Sequence, residues 1–201
     1  MADTTAMMSS ARTEWQTPED LLRVVRRFAG PWGGGIGLDP CAPMDRNPCG
    51  VTTTISVGHR QTWTGPAGGV MATTCESRGG LVEDWGGQGL VYCNPPYGRA
   101  IPAWASKMAA EGGTGTEIVS LLPARTDTQW WHAYVATAQV VAFWRGRLRF
   151  VDPQTGQPAA VWSQAAGRMV GASAPFPSAI AYWGPRVTAF RNAFLPLAWV
   201  P

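Results

Sequence analysis

Lysine is almost missing from this 201-residue chain: Lys107 stands alone among 16 basic residues. Either a coding preference for arginine accounts for this, or guanidinium forks are wanted for phosphates and base edges. Charge of either sign is scarce, 14% of residues against 45% hydrophobic ones, which excludes a disordered protein. No apolar run approaches the ~18 residues that span a bilayer, so no membrane partner is expected. Cys41, Cys49, Cys75 and Cys93 show no C-x-x-C spacing and only His59 and His132 could join them, so no metal site is expected. A basic-then-apolar leader is also missing, which points to reduced thiols in a cytoplasmic setting. G-x-G-x-x-G does not follow the first expected strand, which argues against an ordinary dinucleotide-binding protein. Nothing here sets the oligomeric state.

Glycine (24) and proline (17) are plentiful, so a globular but loop-rich chain of one-domain size is expected. Its formal charge of +3 permits contact with nucleic acid without demanding it. Residues 1–13 read as a flexible tail and 14–201 as one domain, with irregular insertions near 43–80 and 152–175 where no period is visible. Thr17-Pro18-Glu19-Asp20 announces a helix, with Thr17 as N-cap, Pro18 at the first helical position, and Leu21, Leu22, Val25 and Phe28 on one face. A short buried strand then ends in Asp39-Pro40-Cys41-Ala42. An acid there, followed by small residues, lets a loop approach a nucleotide-like ligand; an ordinary Asp-Pro turn is the other reading.

Further on, a helix is expected over 99–111, strands over 117–122, 139–144 and 178–183, and a helix capped by Asp127 that carries Trp130, Trp131 and Tyr134. Alternation of strands and helices implies an α/β fold with a mainly parallel central sheet flanked by helices. Arg145, Arg147 and Arg149 are spaced by two, so a strand would put all three on one face, opposite a phosphate backbone or acids of the fold. The tail after 183 reads as apolar and proline-broken.

Val91-Tyr92-Cys93-Asn94-Pro95-Pro96-Tyr97-Gly98 concentrates the chemistry. It begins as an apolar strand, and two prolines that cannot donate hydrogen bonds must stop it. That leaves the Asn94 amide oxygen and the Pro95 carbonyl beside the Tyr97 ring. Such a set suits a planar exocyclic amine: the two oxygens take its N–H bonds while the ring stacks. Because the lone pair of an aromatic amine is delocalised, hydrogen bonds that favour a pyramidal nitrogen would turn it into a nucleophile.

At these residues the chain resembles amino-methyltransferases of DNA, whose motif is (D/N/S)-P-P-(Y/F/W). With Asp39-Pro40-Cys41-Ala42, Leu121-Leu122-Pro123-Ala124-Arg125-Thr126-Asp127-Thr128, Gly146-Arg147-Leu148-Arg149-Phe150 and Ala174-Pro175-Phe176-Pro177-Ser178 in order, it is similar to the phage-type DNA N6-adenine methyltransferases of the Dam family. The resemblance implies a Rossmann-like class I methyltransferase fold, S-adenosyl-L-methionine (AdoMet) as methyl donor, and DNA as partner in a bacterial or phage-infected cell. It makes Asn94, Pro95, Pro96 and Tyr97 the catalytic turn, around an adenine flipped out of the duplex. Asp39, Pro40, Cys41 and Ala42 would meet the methionine end of the cofactor, and Thr17 and Pro18 would line the same pocket. Glu76 is the candidate for the ribose acid, and Asp84 either reaches the cofactor's adenine or caps its own turn. Arg99, Arg125, Thr126, Arg147 and Arg149 are the expected DNA contacts. N4 of cytosine presents nearly the same amine, and a non-catalytic DNA-binding module that kept the fold is a further alternative. Cys41 and Cys93 read as small buried hydrophobes and not as nucleophiles.

Overall fold

Leu21, Leu22, Val25 and Phe28 recur at helical spacing, and all four are buried on helix α1 (Glu19–Ala29). The computed structural model describes residues 16–30, 35–42, 53–56, 58–64, 69–77, 79–152 and 155–201, by backbone alone within 53–77 and at 161–162. The tail expected at 1–13 and parts of the segment 43–80 lie outside the described residues.

After α1 come strands β1 (Ile36–Asp39), β2 (Thr53–Ser56), β3 (Gly58–Thr64), β4 (Gly69–Ser77) and β5 (Leu90–Cys93). Helix α2 (Ile101–Gly113), β6 (Ile118–Pro123), α3 (Gln129–Ala133), a 3-10 turn (Val135–Thr137) and β7 (Val140–Trp144) follow. The chain closes with β8 (Ala160–Ser163), β9 (Arg168–Gly171), β10 (Ser178–Trp183), α4 (Val187–Phe194) and β11 (Ala198–Trp199). Nine of these strands form one sheet in the order β11-β7-β10-β6-β5-β1-β2-β3-β4. Its centre is parallel, β6 with β5, β5 with β1 and β1 with β2. Both flanks are antiparallel, with β10 running against β6 and β7 and the β2-β3-β4 meander at the far side.

The sheet is therefore mixed and not mainly parallel. The links from β2 to β3 and from β3 to β4 are far too short for a crossover, so those pairs can only be antiparallel. Three strands also occupy ground that was expected to be irregular. Their sequences are rich in threonine (Thr53, Thr54, Thr62, Thr64, Thr73, Thr74), whose branched Cβ suits a strand without supplying hydrophobic alternation. For the same reason the β8–β9 hairpin was missed within 152–175: β9 is exposed at three of its four positions. The C-terminal tail, expected to be broken, holds α4 and β11.

Strands at the centre are buried on both faces, and the pleat sorts their side chains. Leu90 and Tyr92 of β5, Val119 and Leu121 of β6 and Ile180 and Tyr182 of β10 meet α1 and α4 on one side. Val91, Cys93, Ile118, Leu122, Ala179, Ala181 and Trp183 meet α2 and α3 on the other. Arg186 fastens the first layer. Its Nε and Nη2 donate to the two oxygens of Glu117 at 2.7 and 2.9 Å, Nη1 donates to the Phe28 carbonyl at 2.9 Å, and its guanidinium lies 4.4 Å over the Phe28 ring. The Tyr182 hydroxyl also donates to Glu117, and burial followed by that bond raises its pKa well beyond the usual phenol range. It stays protonated and keeps the junction of α1, β6 and β10 intact.

Two helix starts differ from expectation. Pro18 is the N-cap of α1 and Thr17 makes no capping bond, so the helix begins one residue later. At α3 the N-cap position belongs to Thr128 and not Asp127, and the helix gives way to the 3-10 turn after one turn and a half. Arg145, Arg147 and Arg149 lie beyond the end of β7, so no strand face carries them. All three arginines are exposed, while Leu148 and Phe150, on either side of Arg149, are buried, because an extended chain alternates even outside a regular strand.

Candidate active site

Three adjacent parallel strands, β1, β5 and β6, end at the same edge of the sheet, and each runs straight into residues that sequence reasoning singled out. Asp39 closes β1, Asn94 follows β5, and Ala124 and Arg125 follow β6. Such an edge, where parallel strands hand over to loops, is where open α/β sheets bind ligands.

Asn94 is held by a hydroxyl that was expected elsewhere. Its Nδ2 donates to Thr17 Oγ1 at 3.2 Å, and Thr17 Oγ1 lies 2.8 Å from the Tyr92 hydroxyl. Energetics explain why Thr17 does not cap α1. A lost cap costs about 1 kcal/mol, whereas the polar groups buried here would cost ~1–3 kcal/mol each if left without partners. Thr17 is 7% exposed and Tyr92 fully buried, so the hydroxyl turns inward. The other end of the amide is different: Asn94 Oδ1 is buried and has no hydrogen-bond partner among the described residues. A buried acceptor without a partner among these residues calls for an explanation, and a ligand that brings a donor is one.

The Tyr97 ring stands edge-on to Phe150, at 5.8 Å between centroids, and to Phe176, at 5.3 Å. Its hydroxyl is buried without a partner among the described residues, and burial, assisted by Cys93, drives its pKa far above the usual phenol value. Tyr97 is thus a neutral aromatic wall and no base. On the opposite face of β5, the Cys93 and Cys41 sulfurs lie 3.4 Å apart. Asp39, 5% exposed, accepts a hydrogen bond from the Cys41 backbone N–H at 2.9 Å, so it shapes the loop as an ordinary Asp-Pro turn would.

The family model for the DNA N-6-adenine-methyltransferases (Dam) matches residues 70–185, more than half of the chain. The chain belongs to that family. No curated protein and no solved structure matches it. It is an adenine-specific DNA methyltransferase, and the matched region runs from β4 to just beyond β10, across the Asn94-Pro95-Pro96-Tyr97 turn.

Other candidate residues of the methyltransferase fall into two groups. Arg99, Arg125, Thr126, Arg147 and Arg149 are all exposed. Arg125 reaches to 6.0 Å from the Phe176 ring, and Arg149 adjoins Phe150, so both flank the aromatic partners of Tyr97. Asp84 lies in the turn between β4 and β5. It is exposed and its Oδ1 accepts from the Gly86 N–H at 2.8 Å, which is the turn-capping alternative. Next to it, Trp85 N–H donates to Glu111 Oε2 near the C-terminal end of α2, and its indole N–H donates to the Gly80 carbonyl. Glu76 falls in β4, the outer strand of the meander, with β2 and β3 between it and β1. Among the described residues no cluster of three or more His, Cys, Asp or Glu could hold a metal ion, and no helix is long and apolar enough to cross a membrane.

Sequence reasoning missed Tyr92, Phe150 and Phe176 as parts of the site. A signal was available for Tyr92: along β5 it shares a face with Asn94 two residues on. Phe150 and Phe176 come from distant segments, and only packing brings them to Tyr97.

Proposed function

We propose that this methyltransferase is a single domain of Rossmann-like class I topology that transfers a methyl group from AdoMet to N6 of an adenine flipped out of DNA. The strand order supports the topology: a parallel centre with an antiparallel strand, β10, inserted between β6 and β7. The observation that carries the mechanism is the buried, partnerless Asn94 Oδ1. It accepts one N–H of the adenine amine and the Pro95 carbonyl accepts the other, which turns the nitrogen lone pair toward the end of β1. Tyr97 stacks on the flipped base and offsets part of the unstacking cost of a few kcal/mol.

The residues at the end of β1 fit the cofactor. Asp39 is a buried acid one strand away from Asn94, suited to the ammonium at the methionine end, and Pro40, Cys41 and Ala42 are small enough for close approach. When bound, the cofactor supplies an electrophilic methyl carried on a sulfonium. Asp39→Asn keeps the acceptor that holds the Cys41 N–H but removes the charge. Titration calorimetry should show AdoMet affinity falling roughly 10- to 100-fold, as for a lost charge-assisted hydrogen bond of ~1.5–3 kcal/mol. Unchanged affinity would remove Asp39 from the cofactor site.

Arg99, Arg125, Thr126, Arg147 and Arg149 are the DNA contacts in this reading, supported by the exposure of all five and by the place of Arg125 over the Phe176 ring. Arg147→Ala and Arg149→Ala should each flatten the salt dependence of DNA binding by about one unit of log–log slope. Fluorescence anisotropy at several salt concentrations measures this; a slope that does not move would place the arginine outside the interface. The central test is incubation with labelled AdoMet and mixed DNA, then nucleoside mass spectrometry. N6-methyladenine is expected, and N4-methylcytosine as the sole product would refute the assignment.

A further inference from the structure

The Asn94 amide can fit its cavity two ways round, and only one of them presents an acceptor to the target amine. We infer that the Tyr92–Thr17 hydroxyl pair is a polarity relay that sets which way round the amide sits, making both positioning residues for the methyl transfer. This rests on the reading of Asn94 as the amine acceptor.

Protons decide the matter. Thr17 Oγ1 carries one hydrogen and two lone pairs. With the Tyr92 hydroxyl 2.8 Å away, Thr17 can give its hydrogen to Tyr92, and its remaining lone pairs then require a donor. The only donor edge that the amide of Asn94 possesses is Nδ2, which sits 3.2 Å away. That choice sends Oδ1 to the opposite side, where it is buried with no partner among the described residues. Without the Tyr92 oxygen, the Thr17 hydrogen would be released to seek the best acceptor nearby, and that acceptor is Asn94 Oδ1. The amide would then turn over and offer an NH2 group to an NH2 group.

Thr17 is also held firmly enough to act as a fixed stop. Behind it Pro18 starts α1. Before it, Gln16 exchanges both backbone hydrogen bonds with Val151, N–H to carbonyl at 3.1 Å and the reverse at 3.0 Å. Val151 continues the segment that bears Arg147, Arg149 and Phe150, so the stop is tied to the wall behind Tyr97. Neither Thr17 nor Tyr92 needs to touch the base or the cofactor for this.

The test is steady-state kinetics on Tyr92→Phe, Thr17→Val and Thr17→Ser with DNA and AdoMet, alongside AdoMet binding by calorimetry. Tyr92→Phe and Thr17→Val should each lower kcat by at least ~10-fold, short of the ~100-fold that a 1 Å misplacement can cost, with the KM for AdoMet and its binding constant unchanged. Thr17→Ser should restore kcat to within about threefold, since it returns the hydroxyl. Both oxygens of an aspartate are acceptors, so polarity loses its meaning at position 94; on an Asn94→Asp background Tyr92→Phe should cost nothing further. A rise in the AdoMet KM with kcat unchanged would make Thr17 a cofactor-lining residue and overturn the relay. So would equal losses from Tyr92→Phe on both backgrounds, which is what a purely structural role produces. If Asn94→Ala abolishes transfer but Thr17→Val is fully active, the relay alone fails; if Asn94→Ala stays active, the reading of Asn94 fails.

Discussion

Asn94→Ala should lower methyl incorporation into DNA by at least ~100- to 1,000-fold, the cost of removing one oriented hydrogen-bonding group from a transition state. AdoMet binding should survive, because Asn94 follows β5 whereas Asp39 and the proposed cofactor contacts after it lie at the end of β1. Stability should hardly move or should rise. The substitution loses one neutral hydrogen bond to Thr17, about 1 kcal/mol, but also removes a buried acceptor whose lack of a partner costs ~1–3 kcal/mol. A site that is strained when free and satisfied only with substrate bound is the usual trade of stability for function. Tritiated methyl counting, calorimetry and thermal unfolding on the one variant check all three statements. Persistent incorporation would mean that the amine is activated by something other than this amide.

Gly37→Ala should be the most damaging single methyl group that can be added to the site's scaffold. Ile36 pairs with Leu90 and Leu38 with Val91, so Gly37 is the extra residue of a bulge in β1. Its missing Cβ would fall 1.6 Å from the Gln88 carbonyl oxygen and 2.8 Å from the carbonyl carbon. Both are backbone atoms that cannot rotate away. Overpacking a core costs ~1–3 kcal/mol; here the backbone of the turn leading into β5 must move away from β1, so a loss at or above the top of that range is expected. Since these strands carry Asp39 and Asn94, surviving activity should fall as well. Gly113→Ala is the matched control, as its added Cβ meets nothing within 4 Å at the end of α2. It should be neutral or gain up to ~1 kcal/mol from helix propensity. Denaturant unfolding of the two variants compares them, and equal stability would mean that the bulge relaxes freely.

How far the sequence could be read depended on what each element buries. Strands β6 and β10 were expected within a residue or two of where they lie, because both are buried at every position and read as unbroken apolar runs. The meander β2–β4 and the β8–β9 hairpin were not expected, since a strand without an apolar face leaves no period to detect. Asp84 shows the same limit at the level of one residue. Its neighbours allowed a turn or a ligand contact, and its bond to the Gly86 N–H makes the turn through one carboxylate oxygen without deciding the contact. Thr17 was expected to cap α1, since Thr-Pro-Glu-Asp is a helix-start pattern, but the stronger demand for its hydroxyl came from Tyr92 and Asn94, 75 and 77 residues away.

By itself the sequence determined the family, the α/β alternation and the turn that bears Asn94 and Tyr97. Those depend on neighbouring residues: prolines stop a strand, apolar runs bury it, and a four-residue turn keeps its own geometry. Tertiary structure alone decided what that turn is connected to. The direction of the Asn94 amide depends on two hydroxyls, and the face of Tyr97 on two phenylalanines, that reach them only when the sheet closes. Hydrogen bonds and ring contacts are short-range, so which groups share them is set by where the fold brings distant segments within ångströms of each other.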